Sequence, residues 1–403
     1  MESSQPCSLA SDERAVGLDF TDRMKRMRFI LVGAKLASVD SPAQHPGGII
    51  TASRGLIAYA ESRGIALDVI DSSQCSFPVP PIHKRLMKAA ARHLSLLSRL
   101  LKFDIAGVII FCSCGLSFYE KVIMAVWCRL TGTKSLLFIR SGQFMDDCDK
   151  SRILSKLNLL LLKLPNFVGA QGSPWCDFYQ SIGLSPERIV LARNWLPPRA
   201  GPASGHDCTD RKPSARVTFL FVGWVIREKG ILDLIAAIAS SPLLREQARL
   251  VVVGDGTLLE YARKTSKQQG LENVEFPGWQ TNDQVMDHMR HTDVFVLPTY
   301  AEGFPNALLE ALAQGLPVIS TPVGCIADSV IPGVNGFLVQ PGDTASLREN
   351  MERFLNAPEL IAEFSDGSLS IVRKNHDFDY NCASVFKPFG ESVTIPKARN
   401  SSS

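Results

Sequence analysis

From Arg28 onward, short runs of apolar residues alternate with longer stretches in which apolar positions recur every three or four residues. The runs have the length of strands and the stretches that of helices, the rhythm of repeated βαβ units and a mostly parallel sheet. In the first half this predicts strands near 28–33, 66–70, 105–111, 135–139, 167–170 and 188–191, with helices between them, notably over 49–63 and 117–131. Ser173 followed by Pro174 predicts a helix start, with serine as cap and proline in the first helical position. Residues 196–215 are rich in Pro, Gly and Ser and break the rhythm, as a linker does. It then restarts, with strands near 217–222, 249–253, 274–276, 293–297, 317–320 and 336–339 and a helix over 344–355. Beyond about 366 the periodicity fades.

The expected organisation is therefore a disordered extension at 1–24, a first domain at 25–195, a linker at 196–215, a second domain at 216–365 and a tail at 366–403. That tail either stands alone or crosses back to the first domain. Two doubly wound domains in series put their ligand at the carboxyl ends of the strands, between the lobes.

Composition agrees with two cores: 403 residues exceed what one core usually holds, and 45% hydrophobic with 21% charged residues is an ordinary globular balance. The net charge of +3 hides an asymmetry, because 25 Lys and Arg face 16 Asp and Glu up to residue 200, whereas 18 face 24 afterwards. Either the first half meets an anionic surface or ligand, or its solvated faces differ by chance; nucleic acid is not an expected partner. Ten cysteines without a CxxC pair fit a reducing cytoplasm. Residues 1–24 lack the apolar core of a signal peptide, and no apolar run reaches the roughly 18 residues that span a bilayer. The stretch 83–102 sets Lys84, Arg85, Lys88, Arg92, Arg99 and Lys102 beside Leu86, Leu94, Leu97 and Leu101. Such a helix either covers the sheet or lies on an anionic membrane surface as a peripheral contact.

Candidate chemistry gathers at EGFPNALLE, Glu302 to Glu310, which follows an apolar strand ending near Pro298. Pro305 is placed to open a helix, so the backbone N–H groups of Phe304, Asn306 and Ala307 would face the cleft, where a helix start attracts phosphate. Gly303 lets a ligand come close. Glu302 before the helix and Glu310 inside it reach two parts of an elongated polyhydroxyl ligand. Two pairs, Asp147-Cys148-Asp149 and Asp377-Phe378-Asp379, fit the DxD pattern that holds a divalent ion on a diphosphate, but neither follows a convincing strand. No metal is expected.

EGFPNALLE resembles the Glu-x7-Glu motif of the GT-B glycosyltransferases of family 4. FLFVGWVIREKGILDLIAA, RLVVVGDG and TPVGCIADSVIPGVNGFLVQPGD are similar to the same family's second lobe, and HPGGIITASRGLIAYAESRGIALDVID and ERIVLARNWLP to its first. The resemblance implies an α/β fold of GT-B type, two Rossmann-like domains facing across a cleft, and a retaining, metal-independent transferase without a cofactor. Its donor would be a nucleotide diphosphate sugar and its acceptor a saccharide or a lipid-linked molecule, in polysaccharide or cell-envelope glycan assembly. By the same resemblance Glu302 would hold sugar hydroxyls, Glu310 the ribose, and Lys229 the diphosphate, while Gly47 and Gly48 would approach donor or acceptor.

The chain also departs from the family. Trp224 stands where an arginine is common, with Arg227 a candidate substitute, and Arg140-Ser141-Gly142 replaces a His-Gly pair that faces the donor sugar. Arg140 or Ser141 then becomes a candidate sugar or acceptor contact, and Cys325 reads as packing. No acid of the first half stands out as a nucleophile, Asp146 and Asp147 qualifying by position only, so a front-face route with the donor phosphate as proton acceptor is expected. A sugar-nucleotide epimerase or hydrolase of GT-B form, and a noncatalytic sugar-nucleotide binder, remain the alternatives.

Overall fold

The computed structural model describes residues 27–35, 48–73, 81–197 and 216–390. Gly47, the extension 1–24, most of the linker and the last residues of the tail lie outside the described residues.

The first lobe runs β1 (Arg28–Gly33), α1 (Gly48–Arg63), β2 (Ala66–Asp71), α2 (Ile82–Lys102), β3 (Gly107–Cys112), α3 (Leu116–Leu130), β4 (Ser135–Ile139), α4 (Gln143–Lys150), α5 (Arg152–Leu162), β5 (Phe167–Ala170), α6 (Ser173–Ser181) and β6 (Ile189–Leu191). The second runs β7 (Val217–Val222), α7 (Ile231–Ala239), α8 (Pro242–Gln247), β8 (Ala248–Val253), α9 (Leu259–Gln268), β9 (Val274–Gly278), α10 (Asn282–Arg290), β10 (Val294–Leu297), α11 (Asn306–Ala313), β11 (Val318–Ser320) and β12 (Gly336–Leu338). Three helices follow: α12 (Thr344–Asn356), α13 (Glu359–Asn375) and α14 (Phe378–Gly390). The central strands stand where apolar runs were too short for a helix and too continuous for a half-exposed sheet. Residues 107–112 and 135–139 are buried throughout, as strands covered on both faces must be.

The sheets order β2-β1-β3-β4-β5-β6 and β12-β11-β10-β7-β8-β9, and every pairing is parallel. In each sheet the winding reverses once, between β1 and β3 in the first and between β7 and β10 in the second. At such a switch point the loops leave in opposite directions and open a crevice.

The chain end behaves differently from a free tail. α13 runs without a break through position 365, the expected end of the second domain, and α14 lies on the first sheet. Phe386 and Phe389 meet Phe29 edge to face at 5.2 and 5.6 Å. With α1 they close the apolar layer that holds Leu31, Phe111, Phe138 and Trp195.

Ser173 is not the cap of α6. Gly172 holds the cap position, Ser173 is the first helical residue, and its amide donates to Asp328 Oδ2 of the second lobe at 2.6 Å. A carboxylate from across the cleft does what the serine hydroxyl was expected to do, with full charge facing the helix dipole.

Candidate active site in the interlobe cleft

The switch crevice of the second sheet is built from the turns after β7 and β10. After β7, Gly223 donates to the Val253 carbonyl at 3.1 Å and Val225 to that of Asp255 at 2.9 Å, which fixes the turn against β8. Arg227–Lys229 then form one turn of 3-10 helix, closed by Gly230 at φ +69°. A Cβ on Gly230 would sit 2.0 Å from the Pro298 carbonyl oxygen, so only glycine allows this turn to lie on the end of β10. Thr299 Oγ1 and the Tyr300 amide stitch the two together by donating to the Glu228 carbonyl at 2.9 and 2.8 Å. The result is an ion pair between the Lys229 ammonium and the Glu302 carboxylate, side chains that are 17% and 15% exposed.

Downstream of Glu302, Phe304 packs its ring against His376 with centroids 5.0 Å apart. Pro305 precedes α11, and no side chain among the described residues caps that helix. Its first amides, including Asn306 and Ala307, therefore remain available to a ligand, at the positive end of the helix dipole. Glu310 lies one turn further, half-buried. Burial pushes its carboxyl up to about 7, and among the described residues no donor meets it.

The first lobe meets this surface at three points. A Cβ on Gly142 would lie 1.9 Å from the Glu302 carbonyl oxygen, so the loop after β4 touches the Glu302 loop directly and needs glycine there. A Cβ on Gly48 would lie 3.9 Å from Asn306 Nδ2, so the start of α1 faces the start of α11. Asn194 Nδ2 donates to the Phe304 carbonyl at 3.3 Å and to Asn306 Oδ1 at 3.1 Å. Two helix starts thus converge on one gap, the arrangement that suits a multiply charged anion.

The remaining residues singled out in the sequence are spread differently. Arg227 is exposed beside Lys229, with no ion pair among the described residues. Trp224 is 38% exposed on the same turn. Ser141 Oγ turns to Cys114 Sγ at 3.6 Å, within its own lobe. Arg140 is sunk among rings, 4.9 Å from the centroid of Phe138 and 5.4 Å from that of Trp195. Cys325 is buried against Gly172, as packing requires.

The aspartate pairs are engaged elsewhere. Asp377 Oδ1 accepts from the Tyr380 amide at 2.7 Å, and Asp379 pairs at 3.0 Å with Arg63 at the far end of α1 from Gly48. Asp147 lies on α4, and the side chain of Asp149 is outside the described residues. Among the described residues no three His, Cys, Asp or Glu side chains gather closely enough to hold a metal ion.

Sequence reasoning missed Asp328, Asn194 and His376, which join the lobes around this gap. Only the PNALLE helix start hinted that a partner was needed there.

Residues 209–368 match the family model of glycosyl transferases group 1. The match takes in the β7 turn, Glu302 and all of α11. The chain is 34% identical over 176 residues to the putative teichuronic acid biosynthesis glycosyltransferase TuaC of Bacillus subtilis, covering 43% of this chain and 42% of that protein. The chain thus spans less than half the length of such a curated relative. Solved structures extend the likeness to both lobes. HepE of Anabaena, in complex with UDP and glucose, superposes with a TM-score of 0.68 at 17% identity over 91% of this chain and 100% of its own. Sucrose-phosphate synthase of Thermosynechococcus elongatus gives 0.71 at 19% identity over 90% and 98%. The fold is GT-B, with two parallel sheets facing across the cleft that holds the Lys229–Glu302 pair.

Proposed function

We propose that the chain is a retaining glycosyltransferase that moves a sugar from a nucleotide diphosphate sugar to a saccharide or lipid-linked acceptor during assembly of a polysaccharide or cell-envelope glycan. The observation that carries this reading is the meeting of Lys229 with Glu302 beside the uncapped start of α11, facing Gly48 across the gap. Lys229 and the amides of Gly303, Phe304, Asn306 and Ala307 stabilise the diphosphate as negative charge grows on it. Glu302 holds sugar hydroxyls and Glu310 the ribose. These groups supply the positive charge that a bound divalent ion would otherwise bring, so the reaction proceeds without one.

Against Glu302 the first lobe brings the Gly142 backbone, which leaves the front face of the sugar to the acceptor, with the donor phosphate taking the acceptor proton. The complex of HepE with UDP and glucose makes UDP-sugars the first donors to test. Seven described cysteines are free, which suits the cytoplasm. α2 turns Leu96 and Leu100 inward and leaves Leu86, Leu94 and Leu101 at 62, 69 and 71% exposure beside its cations, with Leu97 between the two faces. That face suits peripheral contact with an anionic membrane carrying the acceptor; no helix among the described residues is long and apolar enough to cross one.

A melting-point screen against UDP-, GDP- and ADP-sugars tests the donor site, because a ligand bound only by the fold raises the midpoint. Stabilisation by one sugar nucleotide is expected; indifference to all of them would remove the reading. Transfer should persist in a chelator, and flotation with anionic liposomes at low salt should carry the protein.

A further inference from the structure

Arg140 carries a charge that its surroundings do not answer. Its guanidinium lies over Phe111, Phe138 and Trp195, at 5.6, 4.9 and 5.4 Å from their centroids. Nε and Nη1 are enclosed and meet no hydrogen-bond partner among the described residues, which leaves Nη2 as the nitrogen open to the outside. Burial lowers its pKa to about 10, so it stays charged at neutral pH, and the groups of opposite tendency that its charge meets among the described residues are the thiols of Cys382 and Cys325, both held neutral by burial. Elsewhere in the same lobe buried cations are paired: Arg92 and Lys121 share Glu120 at 2.7 and 2.9 Å. An uncompensated buried cation is costly, and the rings fix its plane without satisfying its N–H groups.

Its place in the fold says what the missing anion belongs to. Arg140 is two residues from Gly142, which touches the Glu302 carbonyl, and its charge reaches Cys325, whose amide donates to the Gly303 carbonyl at 2.9 Å, so the guanidinium stands in the first-lobe wall beside the Glu302 loop. The diphosphate end of the gap is served from the other lobe by Lys229 and α11.

We propose that Arg140 receives a carboxylate on the transferred sugar, so that the donor is a nucleotide-linked uronic acid. The proposal rests on the donor-site reading above. A carboxylate completes a charge-assisted hydrogen bond at Nη2, and a neutral hexose leaves the guanidinium unanswered.

The test is calorimetric affinity of the full chain for UDP, for UDP-glucose against UDP-glucuronate, and for the galactose pair, whose members differ only at C6. A uronate is expected to bind about 10- to 100-fold tighter than its neutral counterpart. Arg140→Met should erase that preference, keep the affinity for UDP and leave the melting point of the unliganded protein no lower. Equal affinity within both pairs overturns the proposal. So does a loss of UDP affinity in Arg140→Met, which would assign the cation to the diphosphate, or a lower melting point with the preference intact, which would make it structural. Failure of every nucleotide to bind would instead refute the donor-site reading. Free glucuronate against free glucose, followed by ligand-observed NMR, then decides the Arg140 proposal alone, and equal signals would end it.

Discussion

His376 Nδ1 lies 2.6 Å from the carbonyl oxygen of Asn194, 182 residues earlier in the chain. These two residues stand where the chain leaves the first lobe and where it returns. Nε2 of the same ring is 2.7 Å from Ser329 Oγ, and the ring lies tilted against that of Phe304 in the Glu302 loop. Since a carbonyl only accepts, Nδ1 carries the proton, and because burial keeps the imidazole neutral, Nε2 accepts from the serine hydroxyl.

Burial accordingly holds His376 down at about 4, below its ordinary 6.5. The stability it contributes is present above pH 6.5 and is lost as the pH falls from there through 4. The wild-type melting point should decline over that window, and His376→Gln should flatten the decline while lowering the midpoint at pH 7.5. Melting curves from pH 4 to 8 check this; an unchanged slope in the variant would falsify the assignment.

Glu310 shifts the other way. Its carboxyl is raised to about 7 from 4.5 by desolvation, so the stability tied to its protonated form is present below pH 4.5 and is lost as the pH rises through 7. Glu310→Gln should melt higher than wild type at pH 8 and alike at pH 4.5. The same substitution should weaken UDP binding about 10- to 100-fold if the carboxylate takes the ribose hydroxyls. Calorimetry in two buffers of different ionisation enthalpy should also register proton release on binding near pH 7 in the wild type.

The layering was legible because it is local. Continuous apolar runs such as Val108 to Phe111 fix buried strands, and Pro305 before Asn306 fixes a helix start. The contacts that join the lobes were not legible. Asp328 reaches Ser173 over 155 residues and Asn194 reaches Phe304 over 110, and no local pattern marks either end. The end of the chain was unreadable for a related reason. α14 packs Cys382, Val385, Phe386 and Phe389 on the first sheet but also buries Asn381 and Pro388, which blurs its apolar stripe. Asp377 and Asp379 matched a metal motif in letters only; a helix start and Arg63 occupy them.

Asp328 tests the joint between the lobes. Its Oδ2 accepts from the Ser173 amide at 2.6 Å and lies 3.7 Å from Arg193. Asp328→Ala removes a cap and an ion-pair partner together, a loss of about 1–2 kcal/mol, whereas Asp328→Asn keeps an acceptor for the amide and should lose less. Hydrogen exchange should quicken in the first turn of α6 in the alanine variant, ahead of the rest of that helix. Protection identical to wild type would show that the contact adds nothing.

The Lys229–Glu302 pair makes the sharpest demand, because the proposed transfer calls on both partners while each holds the other. In that proposal a diphosphate draws Lys229 away from Glu302, whose carboxylate is then left to sugar hydroxyls. Glu302→Gln releases Lys229, so the variant should bind UDP at least as tightly as wild type while transfer falls on the order of 100-fold or more. Lys229→Ala should do the reverse in binding, losing about 10- to 100-fold in UDP affinity. Measuring UDP affinity and turnover side by side separates the two roles. If Glu302→Gln weakened UDP as much as Lys229→Ala does, the pair would act as one diphosphate clamp, and Glu302 could no longer be assigned to the sugar.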